Sequence, residues 1–369
     1  MSDEAKPNLK VPSLFRNYIS FAGAAVAIAG RENVVGVAVV FPGLGCDESI
    51  YIDAASAAIG IDVHRLDGPA CGPYDFADEV RRTLDLPSTP DSKWFVPLYR
   101  ITSSLGCRVM LDGQCGDHLL LGSLEGAATG LLARGHPLRW WRLMHRVGFS
   151  GSAAVRHTAR EVVRALVFML PAASTHAIMS RFRRRRTPGF GGFIQPDVAG
   201  SAPLPPPRQM PGGWKRTRTH RQANYLGDIS WFVDLWDRLS APSGVEARHP
   251  FLDVRLIEYV LSLGEDLVTA GDRNRGLHRL ALAAVLPSAT LTRTDKASFN
   301  EPWVRAALTI ALAVRNLRVA PGSTWDQLVD FDGLEASQSA IEHDPWPADG
   351  IWGWWNSLSL CLWLEKNQP

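Results

Sequence analysis

Residues Val34 to Phe41 read VVGVAVVF, a run with no charged or polar side chain. A strand with one wet face alternates apolar and polar residues, so a run this apolar and β-branched predicts a strand buried on both faces. Pro42, Gly43 and Gly45 break it. Asp47 to Gly60 (DESIYIDAASAAIG) then places apolar residues at helical spacing and ends on a Gly suited to a left-handed C-cap. Ile61 to Leu66 (IDVHRL) predicts a second strand, and Cys107 to Leu111 (CRVML) a third. Strand, helix and strand in that order predict an α/β fold, a parallel sheet with crossover helices. Its core is expected to include Val37, Val39, Val40, Val109 and Leu111.

Such a sheet needs apolar material to bury, and the chain has it. Of its 369 residues 46% are hydrophobic and 21% charged, close to globular averages, which excludes disorder over most of the length. Thirty-nine basic and thirty-seven acidic residues leave a net charge of +2, which gives no general attraction to nucleic acid or membrane. The basic run Arg181 to Arg186 reads as a solvated helix end. Cys46, Cys71, Cys107, Cys115 and Cys361 are odd in number and lack C-x-x-C spacing. They read as free, mostly buried thiols and not as a disulfide framework or a zinc site. The N-terminal residues carry no basic region followed by an apolar stretch. The longest uncharged runs, such as Ala165 to Ser180, fall short of the ~20 residues a membrane helix needs. A soluble, cytoplasmic protein with no nucleic-acid or membrane partner is expected.

From Asp117 onward the pattern is mostly helical. Helical stretches are predicted around Leu119, Leu120, Leu131 and Leu132, over Arg139 to Arg146, over Arg160 to Leu170 and over Gln222 to Leu239. Residues 181–213, basic and then rich in Gly and Pro, predict a mobile loop. Asp253 is placed to cap a helix over Val254 to Leu263, and Pro287 to stop one over Asn274 to Leu286. Trp352, Trp354, Trp355 and Trp363 fall on a predicted terminal helix.

Three segments hold residues able to carry chemistry. Asp112-Gly113-Gln114-Cys115-Gly116-Asp117-His118 follows a buried strand and precedes a helix. Ligands bind at the carboxyl ends of parallel strands, and glycines let backbone amides approach an anion. Two aspartates there suit a polyphosphate only with Mg²⁺ between. A plain strand-to-helix turn with an Asp cap accounts for the same spacing. Arg293 to Phe299 holds Lys296, able to neutralise charge on a phosphate or an oxyanion, or to be solvated surface. Gly244 to Asp253 (GVEARHPFLD) reads as scaffold, with a buried Glu-x-Arg pair holding a loop rigid.

In this order the segments resemble the synthetase half of the asparagine synthetase family. Phe41 to Tyr51 with His64 resembles its F-x-x-x-x-x-DE-S-x-Y helix and the following H. Asp112 to Gly122 resembles its S-G-x-G-x-D-E-x-x-x-G turn, and Gly244 to Asp253 its G-V-E-x-R-x-P-F-L-D. Arg275 to Leu286 and Arg293 to Phe299 resemble its K-x-x-L-R-x-A…LP…R-x-K-x-x-F ending. The resemblance covers roughly residues 15–310. It implies an ATP-pyrophosphatase fold (adenine nucleotide alpha hydrolase-like) over residues 11–310. The Trp-rich residues 311–369 would form a helical extension packed on it.

The resemblance further implies that ATP and Mg²⁺ adenylate a carboxylate, and that an amine then attacks the acyl adenylate to form an amide. Asp117 would ligate Mg²⁺, and Lys296 would stabilise charge on the phosphate and oxyanion. Asp112, Gly113 and Gly116 would line the nucleotide. Gln114 stands in the place of the family's Glu, linked to acylation, and is neither a base nor a charge.

Two further departures matter. Ser2 follows Met1 where the family's glutaminase domain places a nucleophilic Cys, so no ammonia from glutamine is expected. The pyrophosphate loop S-G-G-x-D-S falls, by counting back, on Ser20 to Ala25, where only Ser20 fits and Ala24 replaces the metal-binding Asp. Two readings follow. One is an ATP-dependent ligase joining a substrate amine to a carboxylate, as the related lasso-peptide cyclases do with an Asp or Glu side chain of a precursor peptide. The other is a degenerate or N-terminally truncated relative that binds a protein partner.

Overall fold

A computed structural model describes residues 9–13, 17–72, 74–87, 89–120, 131–132, 135–146, 229, 232–264, 267–268, 276–283, 291, 297, 299–315, 329–343 and 351–366. The chain order is β1 (Leu9–Ser13), α1 (Asn17–Ala29), β2 (Gly36–Val40), α2 (Ser49–Ile59), β3 (Val63–Asp67), α3 (Phe76–Thr83), α4 (Ser92–Ser104), β4 (Val109–Leu111) and α5 (Gly116–Leu120). There follow α6 (Pro137–Arg146), a helix α7 over residues 232–240, β5 (Glu246–Arg248) and α8 (Val254–Ser262). α9 (Gly276–Ala281), α10 (Asn300–Arg315), α11 (Phe331–His343) and α12 (Ile351–Lys366) complete it.

The five strands form one sheet in the order β3-β2-β1-β4-β5, every neighbour parallel. β2 is buried along its whole length, as an uninterrupted apolar run requires. Its side chains divide by period two. Val37 and Val39 join Trp94, Phe95, Leu98 and Tyr99 of α4 and Leu235 and Trp236 of α7. Ala38 and Val40 face Ile52 of α2. Helices therefore cover both faces. The outer strands β3 and β5 carry His64, Arg65, Glu246 and Arg248, whose charge and polarity discourage further pairing at the open edges.

β4 corrects part of the expected core. Met110 is the buried residue, whereas Val109 and Leu111 are half-buried. Leu111 joins the cluster around Ala22, Ala25, Val34 and Ile61, where α1 lies. The Glu246–Arg248 pair is also corrected: it is exposed, with Arg248 Nε 2.8 Å and Nη2 2.9 Å from the Glu246 oxygens. On a strand residues i and i+2 share a face, here the open one. The thiols are free, four of the five buried.

The helix predicted after β2 is α2, closed by Gly60 at φ +73, and Asp253 caps α8 by accepting the Arg255 N–H at 2.9 Å. A second core lies away from the sheet. Trp354, Trp355, Leu358 and Leu362 of α12 pack on Phe76 and Val80 of α3 and Val304 and Ala307 of α10. The expectations for Arg160 to Leu170 and for 181–213 lie outside the described residues. No helix among the described residues is long and apolar enough to cross a membrane.

Candidate active site

The strand order marks where a ligand site is to be sought. From β1 the chain winds through β2 to β3 on one side, then crosses to β4 and β5 on the other. In open parallel sheets ligands bind outside the carboxyl ends of the strands where the winding reverses. Those strands are β1 and β4. The turn after β4 begins at Asp112, and residues 14–16, which link β1 to α1, lie outside the described residues.

The placement of a phosphate loop on Ser20 to Ala25 is corrected. Those residues lie inside α1, with Ala22 and Ala25 buried against Val34 and Ile61. A closed helical segment cannot wrap a phosphate with consecutive amides. Any loop that serves β1 falls between Ser13 and Asn17. α1 also touches the segment after β5, where the Phe21 and Phe251 rings meet edge-on at 4.5 Å.

The turn after β4 brings Asp112, Gly113, Gln114, Gly116 and Asp117 together. Gly113 and Gly116 are buried, Gln114 and Asp117 half-buried, and the Gly116 N–H bonds the Gly113 carbonyl at 3.2 Å. Cys115 has φ +64, a left-handed conformation that costs a residue with a Cβ about 1–2 kcal/mol. The family pattern has Gly at this place. Burial, with Asp112 adding, pushes the Cys115 thiol up to about 12, so it is inert as a nucleophile.

Asp112 is 3% exposed, with its N–H and Oδ1 both engaged. Its N–H donates to the Arg248 carbonyl at 3.0 Å. Its Oδ1 accepts the Gln114 N–H at 3.0 Å and lies 2.6 Å from His249 Nδ1. Burial disfavours a charged His249 ring, but the hydrogen bond and charge of Asp112, with Asp237 assisting, outweigh it and raise the ring above the usual histidine value. His249 Nε2 and the Tyr99 hydroxyl are buried and have no hydrogen-bond partner among the described residues. Burial pushes the Tyr99 hydroxyl well up, and Asp112 and Asp237 push it further. His249 escapes sequence reasoning because 137 residues separate it from Asp112. The signal available was the pair of oddities, an Asp where the pattern has Ser and a His at the pattern's unspecified place before Pro250.

The turn after β2 is closed on itself. Asp47 Oδ1 accepts the Phe41 N–H at 3.0 Å and the Ser49 hydroxyl at 2.9 Å. Its N–H donates to the Leu44 carbonyl at 3.0 Å. The D-E-S motif here shapes a turn. Gly68 follows β3, and a Cβ there would sit 2.4 Å from the Phe41 ring, so the close approach requires Gly. Lys296 lies outside the described residues, but Ala297 is buried in the sheet core and the Phe299 ring is 5.7 Å from that of Phe41.

A family model described as Asparagine synthase matches residues 23–339. Asparagine synthetase (glutamine-hydrolyzing) 3 of Bacillus subtilis (strain 168) is 36% identical over 80 residues, which are 21% of this chain and 13% of that protein. The matched stretch is thus a small part of that relative's length.

Proposed function

Because the chain belongs to the asparagine synthase family, we propose that it is an ATP-dependent ligase that forms an amide through an acyl adenylate. The observation that carries this is the turn from Asp112 to Asp117, at the carboxyl end of β4, where the sheet's winding reverses. The all-parallel order supports an ATP-pyrophosphatase architecture for the sheet.

A carboxylate oxygen attacks the α-phosphorus of ATP and pyrophosphate leaves. An amine then attacks the acyl carbon, AMP leaves with the former carboxylate oxygen, and the amine loses a proton. Adenylation turns a poor leaving group, oxide, into a good one. Buried Gly113 and Gly116 would offer backbone and no side chain to the nucleotide. Lys296 would supply a cation for the departing charge. Mg²⁺ bound with nucleotide phosphates needs only one or two protein carboxylates, and half-buried Asp117 is a fitting donor. When bound, it would neutralise phosphate charge.

Gln114 holds the place of the family's Glu but takes no proton, so the proton of the attacking amine leaves by another acceptor. The substrate class we favour is an Asp or Glu side chain attacked by an amine of the same peptide, the reaction of the lasso-peptide cyclases the motifs resemble. Labelled carboxylates test the reaction. The chain is incubated with Mg-ATP, hydroxylamine as a general amine, and ¹⁸O-labelled aspartate or short peptides with internal Asp or Glu. Equimolar pyrophosphate and AMP carrying one ¹⁸O are expected; ADP and phosphate would sink the proposal. The second reading, a partner-binding relative without turnover, is favoured by Leu14-Phe15-Arg16 after β1, which contains no glycine. The same assay separates the two.

A further inference from the structure

The pairing of Asp112 with His249 assigns a task to residues that the family pattern leaves without one. Position 112 follows β4 and position 249 follows β5. The two side chains are 4% and 6% exposed and meet at 2.6 Å. The same Asp112 oxygen holds the Gln114 N–H at 3.0 Å, so one carboxylate links the end of β5 to the middle of the turn. In the family pattern a Ser stands at 112, and a hydroxyl alone is able to accept one amide hydrogen bond there. An Asp at that place adds a buried charge, which is costly without a partner. His249 is that partner.

We propose that His249 is a positioning residue: acting through Asp112, it fixes the turn that carries Gln114 and Asp117 and so sets how the site holds Mg-ATP. The proposal rests on the ligase reading for its nucleotide and on the geometry alone for the turn. Three other groups bear on the ring. Asp237 from α7 adds negative charge, as does Asp112. Tyr99 from α4 and Cys115 from the turn share the field of Asp112 and are held neutral by burial. Removing His249 alone strands the Asp112 charge. Removing both, with Ser at 112, restores the arrangement of the pattern.

The test is a cycle of three variants, Asp112→Ser, His249→Asn and the double, each checked for a cooperative melting transition above the assay temperature. Two readouts are taken, Mg-ATP affinity by calorimetry from pH 6 to 9 and the backbone amide resonances of Gln114 and Asp117. His249→Asn is expected to weaken Mg-ATP roughly 10-fold, the scale on which outer partners of a metal or phosphate site act, and to move both amides. The double variant is expected to return affinity to within about threefold of wild type, a coupling normal for residues in contact. If His249→Asn fails to fold, the double variant and Asp112→Ser still decide. Affinity of the double variant below that of Asp112→Ser overturns the proposal. Unmoved amides in His249→Asn overturn it as well. A wild-type chain that binds no Mg-ATP sinks the ligase reading, and the amides then decide the positioning claim by themselves.

Discussion

After β2, Asp47 folds back on its own turn and accepts from Phe41 and Ser49 within a span of nine residues, Phe41 to Ser49. After β4, Asp112 reaches out of its turn to His249, and the turn keeps a left-handed Cys115, while His249 Nε2 and the Tyr99 hydroxyl are buried with no hydrogen-bond partner among the described residues. Both turns leave the carboxyl end of one parallel sheet. The first satisfies its polar groups locally and so serves as scaffold. The second spends a long-range contact to hold a strained backbone in place. Backbone strain clusters at active sites and ligand clamps, which is the ground for preferring the second turn as the candidate site.

The comparison is open to being broken. The largest effect is expected at Asp117. Asp117→Ala should lower amide formation by more than the roughly 10–100-fold lost with a mere outer partner of a metal ligand, measured on the folded fraction; activity within threefold of wild type would move the site away from this turn. Asp47→Ala should do the reverse. It removes an acceptor from two donors, for about 1–2 kcal/mol of stability, with kcat/KM unchanged in the surviving fold. A loss of turnover larger than the loss of folded protein would erase the distinction between the turns.

Cys115 sharpens the contrast more finely. Both Cys115→Ala and Cys115→Gly empty a buried site, but only Gly is relaxed at φ +64. The Gly variant should therefore be the more stable by about 1 kcal/mol in urea denaturation, and an Ala variant as stable as Gly would show no strain. The smallest effect belongs to pH. The folded His249 ring binds its proton more tightly than in the unfolded chain. Its stabilisation is thus fully present below the unfolded value of about 6.5 and is lost as pH rises through the raised folded value. The stability gap between wild type and His249→Asn should shrink from pH 6 to pH 8, and a gap that widens would reverse the assignment.

Much of the first region was legible in the sequence. The run Val34 to Phe41, the helix capped by Gly60 and the capping Asp253 follow from local patterns, and the structure repeats them. β1 was not legible, because Pro12 argues against a central strand. In the sheet Pro12 pairs with Val37 of β2 beyond the last β4 partner, Lys10, so β1 is flanked on one side there. β5 is three residues long with two charges and gives no periodic signal. Missing β1 shifted the expected phosphate loop into α1, and with it Ser20. On β4 a three-residue strand leaves the buried phase undecided between Met110 and its neighbours. The second turn's residues were legible as a motif, but the state of Asp112 was not. A carboxylate reads alike in sequence whether it awaits a metal or is already bound to a histidine from another strand.

The most direct test of the account is a calorimetric titration of Mg-ATP into the full chain beside Asp117→Ala. Saturable binding that the variant loses or weakens by tenfold or more is the predicted result. No binding at millimolar nucleotide, or equal binding by both proteins, would contradict a nucleotide site on the turn after β4.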